Sequence, residues 1–420
     1  MKTTKNYRWV ICGLLFLATT INYIDRQIIG LLKPMLEAEF NWTETDYSRI
    51  VMAFTASYAA GLLFFGRIID LIGTRLGYAI SVTVWSIAAM AHALAKSTLG
   101  FSIARASLGL GESGNFPAAI KAVAEWFPKK ERALATGIFN SGANIGAVTA
   151  PLLVPLLIAF YGWKEAFIIT GALGFIWLIL WLWLFNQPEK IHQVSTEELQ
   201  YIKSDSNPSQ NNSAVRLSWL QLLKNRNTWV FIIAKFLTDP IWWFFLFWLP
   251  AFFSAAFQID LKSPSLHLAI VYSATTVGSI GGGYISGWLI SRGWEIRRAR
   301  LTAMLLFAIL VIPIAFTQFA HHEWMVVGLI SLAAASHQAW SANLFTTVSD
   351  VFPANAVSSV VGMGGMAGSV GGILFPMLIG FLLDYYKNLG MLTTGYHVLF
   401  IMCACAYVIA WLVMRLSIRK

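Results

Sequence analysis

Charged residues are scarce in this chain. Asp, Glu, Lys and Arg make up only 12% of its 420 residues, whereas hydrophobic residues make up 57%. A soluble domain carries about 25% charged residues, so the composition excludes an ordinary soluble protein. Cysteine is nearly missing too: the chain has three, all in apolar stretches, where each is interpreted as a small hydrophobic residue rather than half of a disulfide.

The motifs of enzymes and metal sites are missing as well. Residues 111–115 (GESGN) lack the second glycine of a nucleophile elbow. Residues 362–367 (GMGGMA) follow no strand, as a dinucleotide-binding loop would. His321, His322 and Glu323 lack a fourth ligand at helical spacing. We therefore expect no enzymatic activity, no cofactor and no metal.

Long apolar segments fill most of the chain instead. Twelve of them reach the length of about 20 residues that a membrane-spanning helix needs. They lie near residues 9–32, 47–69, 77–95, 99–122, 134–160, 165–186, 227–256, 267–290, 301–319, 324–348, 357–384 and 395–416. The sequence therefore predicts an all-α integral membrane protein with twelve transmembrane helices.

A polar stretch divides these segments into two sets of six. It includes the tract SDSNPSQNNS (204–213), which has too few apolar residues to form a core and is interpreted as part of a linker. We expect a six-helix bundle over residues 1–187, a cytoplasmic linker over 188–226 and a second six-helix bundle over 227–420.

The two halves share a related stretch of sequence. Residues 126–151 (WFPKKERALATGIFNSGANIGAVTAP) align without a gap with residues 351–376 (VFPANAVSSVVGMGGMAGSVGGILFP). Internal repeats of this kind are typical of transporters in which two bundles rock around a central site. Glycines in and beside these stretches fall at spacings of four or five, which predicts close contact between helix backbones. They are Gly137, Gly142, Gly146, Gly364, Gly368 and Gly372.

Basic residues outnumber acidic ones by 30 to 20. Most of them fall in loops that share one side of the membrane if both termini are cytoplasmic, which is the positive-inside pattern. Because they are spread over short loops, they indicate membrane orientation rather than nucleic-acid binding. We expect a multi-pass protein of the cell membrane with both termini in the cytoplasm.

Four ionisable residues lie inside predicted spans of the N-terminal half. Asp25 and Arg26 are the only charges of the first span, and a charge near the centre of a spanning helix costs roughly 2.5–3.5 kcal/mol, so it marks a functional path. They point about 100° apart, so each needs a partner from another helix. Arg105 and Glu112 point from one face of the fourth span, about 10 Å apart along its axis.

These four charges have two interpretations. They form either a static lattice of ion pairs that holds helices together, or a site for protons and an anion. In the second interpretation Asp25 and Glu112 take up protons, and an arginine that loses its carboxylate partner can bind a substrate carboxylate. Proton and anion binding then favour each other, as symport requires.

The loop after the second span, GRIIDLIGTR, resembles the motif G-x-x-x-D-x-x-G-x-R of the major facilitator superfamily. The resemblance implies a fold of twelve transmembrane helices in two pseudo-symmetric six-helix bundles. It also implies a gating motif made of Gly66, Asp70, Gly73 and Arg75, in which Asp70 faces a neighbouring helix end.

Three further motifs resemble one family within that superfamily. NYxDR in the first span, RxxLGxxES in the fourth and WFPxxERAxAxGIFNSG after it are similar to the anion:cation symporter family. LTDPxWWFxLFWLP and SHQAxS…SDVF are similar to its hexuronate-transporter branch. The resemblance implies that Asp25 and Glu112 couple protons and that Arg26 and Arg105 bind the organic anion.

The resemblance also implies which uncharged side chains line the sugar-acid site. Tyr23 and Tyr58 match aromatic hydroxyls of that site. Sugar-acid relatives can carry a Gln near Ala143, and here Asn144 is the nearest amide.

Two polar stripes lie in the C-terminal half. His337 and Ser341 share one face of the tenth span, where we expect them to contact the hydroxyl groups of a substrate, although a lone membrane His can also serve as a helix–helix hydrogen bonder. Lys235, Asp239 and Trp242 share a face of the seventh span. Lys235 and Asp239 form either a local salt bridge or part of the site, and Trp242 either stacks on a sugar ring or packs.

The function expected from these observations is proton-coupled import of organic anions by alternating access, most simply of the aldohexuronates glucuronate and galacturonate. The resemblance places the protein in the bacterial inner membrane, as a monomer whose partners are protons, a small organic anion and lipid. Two alternatives stay open. One is a symporter of another sugar acid, such as galactonate or glucarate, and the other is an exporter or antiporter of organic anions.

Overall fold

The computed structural model describes residues 6–204, 217–257, 266–320 and 322–417. Residues 205–213 of the polar tract lie outside the described residues, and so does His321. Within them the chain folds into fifteen α-helices and three short 3₁₀ segments. The α-helices are α1 (Tyr7–Phe40), α2 (Glu44–Ile72), α3 (Thr74–Ala91), α4 (Thr98–Glu112), α5 (Asn115–Trp126), α6 (Lys129–Tyr161), α7 (Trp163–Leu184), α8 (Thr196–Ile202), α9 (Trp219–Lys224), α10 (Arg226–Phe257), α11 (Leu266–Ser291), α12 (Ile296–Val311), α13 (Glu323–Val351), α14 (Val357–Asn388) and α15 (Leu392–Ser417).

The helices follow the predicted spans closely, and the all-α prediction is confirmed. Ten described helices are long and apolar enough to cross a membrane. The predicted fourth and tenth spans are not among them. The fourth is divided between the short helices α4 and α5, and the tenth, α13, carries several buried polar side chains that lower its hydropathy, among them His337, Gln338 and Asn343.

The fourth span is interrupted at Ser113 and Gly114. Pro117 lies in the first turn of α5, where it has no N–H to donate and its ring would clash with the Ser113 carbonyl if the helix ran straight on. The break makes Glu112 the last residue of α4, and its side chain is fully buried. An interrupted helix of this kind brings a charged side chain and free backbone groups to the middle of a span.

Two compact units make up the chain. Unit 1 consists of Met1–Ser218 and Ser349–Met363, and unit 2 consists of Trp219–Val348 and Gly364–Lys420. Each unit is therefore built from two separate segments of the sequence, a longer one and a shorter one.

Each unit has an apolar core of its own. In unit 1 the ring of Phe101 packs edge-on against Trp42, with centroids 4.8 Å apart, inside a cluster formed by α1, α4, α6 and α7. In unit 2 Phe400 of α15 lies between Phe244 and Phe252 of α10, at 5.8 and 5.0 Å. Such aromatic contacts add to the burial of large apolar side chains.

The internal repeat produces two similar long helices, one in α6 and one in α14, and each contains the repeated proline. Their glycines let the backbone approach a neighbour. A Cβ at Gly142 would lie 2.5 Å from the Phe16 carbonyl oxygen of α1, and a Cβ at Gly368 would lie 2.9 Å from Asp239 Cγ of α10. The predicted close contact of helix backbones is confirmed at Gly142, whereas Gly368 lies against a side chain.

The linker helix α8 is attached to the start of α1 in unit 1. The Glu198 carboxylate accepts hydrogen bonds from the backbone N–H groups of Tyr7 and Arg8, at 3.0 and 3.1 Å. A carboxylate at a helix N-terminus is stabilised by the unpaired N–H groups there. Arg8 also pairs with Glu198 at 3.2 Å and with Glu131 of α6 at 2.8 Å, which ties α1, α6 and the linker together.

Candidate functional site

The charges of α1 and α4 meet in one buried ion pair. Arg26 Nε donates to Glu112 Oε2 at 2.9 Å, and Nη2 lies 2.9 Å from the same oxygen. The Glu112 side chain is fully buried, and that of Arg26 is 12% exposed. Removing one partner of such a pair leaves a buried charge without compensation and costs about 3–5 kcal/mol. A conformational change that separates Glu112 from Arg26 therefore has to provide the arginine with another hydrogen-bond acceptor.

Three aromatic rings surround the Arg26 guanidinium. Its Cζ lies 4.8 Å from the ring centroid of Tyr23, 4.7 Å from that of Tyr58 and 5.1 Å from that of Phe54. All three distances are within the range of cation–π attraction. These rings stabilise the positive charge without adding an anion, so Glu112 is the one carboxylate paired with Arg26 in the described part of the chain.

Arg105 lies directly beside this pair. Its Nη2 donates to the Arg26 backbone carbonyl at 3.1 Å, and its Cζ is 4.7 Å from the Phe54 ring. Phe54 of α2 thus contacts both guanidinium groups. Arg105 Nε and Nη1 are buried and donate no hydrogen bond within the described residues. Those donors can bind an acceptor oxygen that comes from outside the chain.

Asp25 has a different environment from Glu112. It is only 1% exposed, and neither carboxylate oxygen accepts a hydrogen bond of ordinary geometry from the described residues. Arg105 attracts it and Glu112 repels it electrostatically. An ionised carboxylate is costly to bury without hydrogen bonds, which makes Asp25 a candidate for proton uptake.

Two amides of unit 1 also have unused donors. Asn22 Oδ1 accepts from Arg26 at 3.5 Å, but Asn22 Nδ2 and Asn144 Nδ2 are buried and donate to nothing in the described residues. Buried polar atoms of native proteins rarely lack a partner. No hydrogen bond of the described chain joins Asn144 to the two arginines, so its place in the site is not defined by direct contact.

The GRIIDLIGTR motif has a clear geometry in unit 1. The Asp70 carboxylate pairs with Lys121 at 3.1 Å and accepts hydrogen bonds from the backbone N–H groups of Ser358 and Ser359, at 3.3 and 2.7 Å. Those groups belong to the first turn of α14, where the positive end of the helix dipole stabilises a carboxylate. Asp70 therefore faces the N-terminal end of α14.

The other motif residues support this arrangement. Gly66 lies against the backbone of Ser358, where a Cβ would be 2.5 Å from the carbonyl oxygen. Gly73 takes φ = +91° between α2 and α3, a conformation that glycine adopts without strain. Arg75 donates to the carbonyl of Leu182 in α7.

In unit 2, His337 and Ser341 lie on α13, both buried. The His337 ring stacks on Trp242 with centroids 5.5 Å apart and planes 6° apart, and its Nδ1 is hydrogen-bonded to the Tyr407 hydroxyl. The alternative interpretation of His337 as a helix–helix hydrogen bonder is therefore realised in this conformation. Lys235 and Asp239 form the local salt bridge at 2.6 Å.

Several residues of these environments were not found by sequence reasoning. Phe54 contacts both arginines, yet in a chain with 29 Phe nothing in the pattern distinguishes it. His92 is fully buried, its Nε2 has no hydrogen-bond partner in the described residues, and Arg105 acts on it electrostatically. The signal that could have found His92 is its position as a lone titratable residue in an apolar segment.

The long apolar helices are those of a multi-pass membrane protein, and its family makes it a transporter rather than an enzyme. The sequence profile of the Major Facilitator Superfamily matches residues 15–376, and the chain belongs to that superfamily. Two solved structures share the fold at 14% sequence identity. They are the transporter FucP in its outward conformation (TM-score 0.72, covering 99% of this chain and 100% of FucP) and the proton:xylose symporter XylE (TM-score 0.74, covering 97% and 95%).

Proteins with related sequences include two transporters of sugar acids. A hexuronate transporter of Escherichia coli K12 is 34% identical over 387 residues, which cover 91% of this chain and 89% of the relative. A galacturonate transporter of Dickeya chrysanthemi is 36% identical over 282 residues, which cover 67% of this chain and 82% of the relative.

Proposed function

We propose that this transporter is a proton-coupled importer of aldohexuronates such as glucuronate and galacturonate. The observation that carries the proposal is the buried ion pair of Arg26 and Glu112. The Glu112 carboxylate binds the guanidinium at the place where a substrate carboxylate could bind instead. The names of the sequence relatives supply the class of anion. Asp25 and Glu112 are proposed as proton carriers, and Arg26 and Arg105 as the anion-binding residues.

Coupling follows from competition for Arg26. When Glu112 is ionised, it holds the guanidinium at 2.9 Å and repels an incoming anion. When Glu112 takes a proton, its attraction for Arg26 falls, and the arginine can bind the substrate through a charge-assisted hydrogen bond. By linkage, the bound anion then strengthens proton binding by the same factor. The aromatic rings of Tyr23 and Tyr58 would keep the guanidinium in place during the exchange.

The proposed arrangement in the membrane completes this account. With both termini in the cytoplasm of a bacterial cell, the basic loops follow the positive-inside rule. We propose two six-helix bundles over residues 1–187 and 227–420, joined by the cytoplasmic linker, and a monomer as the transporting species. Tyr23, Tyr58, Asn144, His337 and Ser341 are proposed to contact the substrate, and alternating access would move it across.

Another sugar acid is the specific alternative. More distant relatives include a D-galactonate transporter and a probable galactarate/D-glucarate transporter, 25% and 26% identical. An exporter or antiporter is the other alternative, but it does not obviously require two arginines beside two buried acids.

Counterflow in proteoliposomes tests the substrate directly. Vesicles that contain the purified protein are loaded with one unlabelled sugar acid or, as a control, with the neutral sugar xylose, and entry of radiolabelled glucuronate is measured. We expect internal glucuronate and galacturonate to drive entry, and internal galactonate, glucarate or xylose to drive it weakly or not at all. Equal or stronger exchange with galactonate or glucarate would instead support the alternative substrates.

A further inference from the structure

Unit 2 contains a partly buried ion pair that plays no part in the proposed function. Lys235 and Asp239 lie one turn apart on α10, with Nζ and Oδ2 2.6 Å apart. The two side chains differ in exposure: Lys235 is 5% exposed and Asp239 is 21% exposed. The ammonium is therefore enclosed, whereas the carboxylate reaches accessible space. A lone salt bridge in a spanning helix is costly and commonly marks a functional site.

The neighbouring helix α13 runs antiparallel to this part of α10. Lys235 Nζ lies 4.0 Å from the ring centroid of Phe345, and the Trp242 ring stacks on His337. As the residue number increases along α10, its partner on α13 decreases. Ser341 is midway between the two partners, so this register places it at the level of Asp239.

A third helix closes the surroundings of the carboxylate. The backbone of α14 passes so close that a Cβ at Gly368 would lie 2.9 Å from Asp239 Cγ. Asp239 thus lies against the backbone of α14, and the register places it beside α13. The stacked rings of Trp242 and His337 lie about one turn further along α10 and present a flat aromatic surface.

We propose that Asp239 is a hydroxyl-binding residue of unit 2, which accepts hydrogen bonds from the ring hydroxyls of a polyhydroxylated anion. The chemistry follows from the charges. The ammonium of Lys235 stabilises the ionised carboxylate at 2.6 Å, and an ionised carboxylate accepts strong hydrogen bonds from O–H donors. Because the ion pair has no net charge, it does not attract a substrate carboxylate, and Asp239 repels one at close range. The subsite therefore selects the hydroxylated end of the substrate.

This inference rests on the proposed function, since it names how a sugar acid is distinguished from a simple acid. A site built to hydrogen-bond hydroxyl groups discriminates strongly against analogues that lack them. The loss of one hydrogen bond to a charged group corresponds to about 10- to 100-fold in Kd. Ser341, at the level of Asp239, can hold a second hydroxyl group.

The test compares two ligands by titration calorimetry on the full-length protein in detergent. D-glucuronate carries ring hydroxyls, and tetrahydropyran-2-carboxylate has the ring and the carboxylate but no hydroxyl group. We expect Asp239→Asn to raise the Kd of glucuronate about 10- to 100-fold and to leave the Kd of the ring acid within about twofold. Asp384→Asn, the same change at an exposed acid of unit 2, should alter neither value.

Two results would overturn the inference. Equal weakening of both ligands in Asp239→Asn shows a structural role, and no weakening shows that Asp239 does not contact the substrate. The double variant Lys235→Gln/Asp239→Asn removes both charges, so it avoids an unpaired buried ammonium, and it should show the same selective loss. If the unaltered protein binds no glucuronate, the proposed function fails, whereas tight wild-type binding that Asp239→Asn leaves unchanged contradicts this inference alone.

Discussion

Replacement of Glu112 by Gln separates substrate binding from proton binding. Gln resembles a protonated Glu in shape and lacks its charge, so Arg26 in this variant has no competing anion. We expect Glu112→Gln to bind glucuronate as tightly at neutral pH as the unaltered protein does at low pH. It should also exchange substrate across a membrane, but it should not concentrate substrate in response to a pH gradient.

The magnitude follows from the one-to-one competition at Arg26. If each substrate requires one proton on Glu112, the Kd of the unaltered protein rises up to tenfold for each pH unit above the range where Glu112 titrates. That factor equals about 1.4 kcal/mol per pH unit. The sign is fixed: substrate binding weakens as pH rises, because an ionised Glu112 keeps the arginine. In Glu112→Gln the slope of log Kd against pH should fall by about one.

Calorimetric titration with glucuronate between pH 6 and pH 8 measures both slopes. Glu125→Gln is the matched control, because Glu125 is another acid of unit 1 whose carboxylate accepts from the Thr74 hydroxyl at 2.6 Å. It should keep the slope of the unaltered protein. The reasoning is refuted if Glu112→Gln keeps that slope too, or if it still accumulates substrate against a gradient.

Three further predictions concern other parts of unit 1. Arg105→Lys should weaken substrate binding although it keeps the charge, because an ammonium cannot reproduce the planar donors of a guanidinium; undiminished affinity by calorimetry would remove Arg105 from the site. Asp70→Asn should lower the thermal stability and the maximal transport rate and leave the Kd of substrate unchanged. It removes the charge that contacts Lys121 and the α14 N-terminus, and the loss of such a charged hydrogen bond costs about 1.5–3 kcal/mol of stability. A changed Kd with normal stability would contradict this. If Asp25 and Glu112 each carry a proton, every hexuronate enters with one net positive charge, and this charge gains about 2.3 kcal/mol per 100 mV of inside-negative potential. An inside-negative potassium diffusion potential should therefore drive uptake without a pH gradient. Uptake that does not depend on voltage would indicate a single proton carrier.

The amino-acid sequence predicts the arrangement of helices well because hydrophobic length is a strong signal in a membrane protein. With no water in the bilayer core, a spanning backbone has to satisfy its own hydrogen bonds, so a long apolar segment folds as a helix. The departures have local causes. The break before Asn115 follows from Pro117, which could be recognised in the sequence, and the low hydropathy of α13 follows from its polar side chains.

The candidate site was predictable only in part. Periodicity places Arg105 and Glu112 on one face of a helix, and the cost of a charge requires a partner for Arg26, but neither says which acid pairs with which arginine. In the structure Glu112 pairs with Arg26, and Asp25 accepts no hydrogen bond of ordinary geometry from the described residues. Contacts between helices depend on their packing, so Phe54 beside both arginines could not be inferred from its position in the sequence.

The central claim is that protons drive the uptake of a hexuronate, and uphill transport tests it most directly. Proteoliposomes with an alkaline interior are placed in acidic buffer that contains radiolabelled glucuronate, with the membrane voltage clamped at zero by valinomycin and equal potassium. We predict that the internal concentration transiently exceeds the external one and that a protonophore abolishes this excess. Entry that stops at equal concentrations, or accumulation that the protonophore does not affect, would contradict the claim.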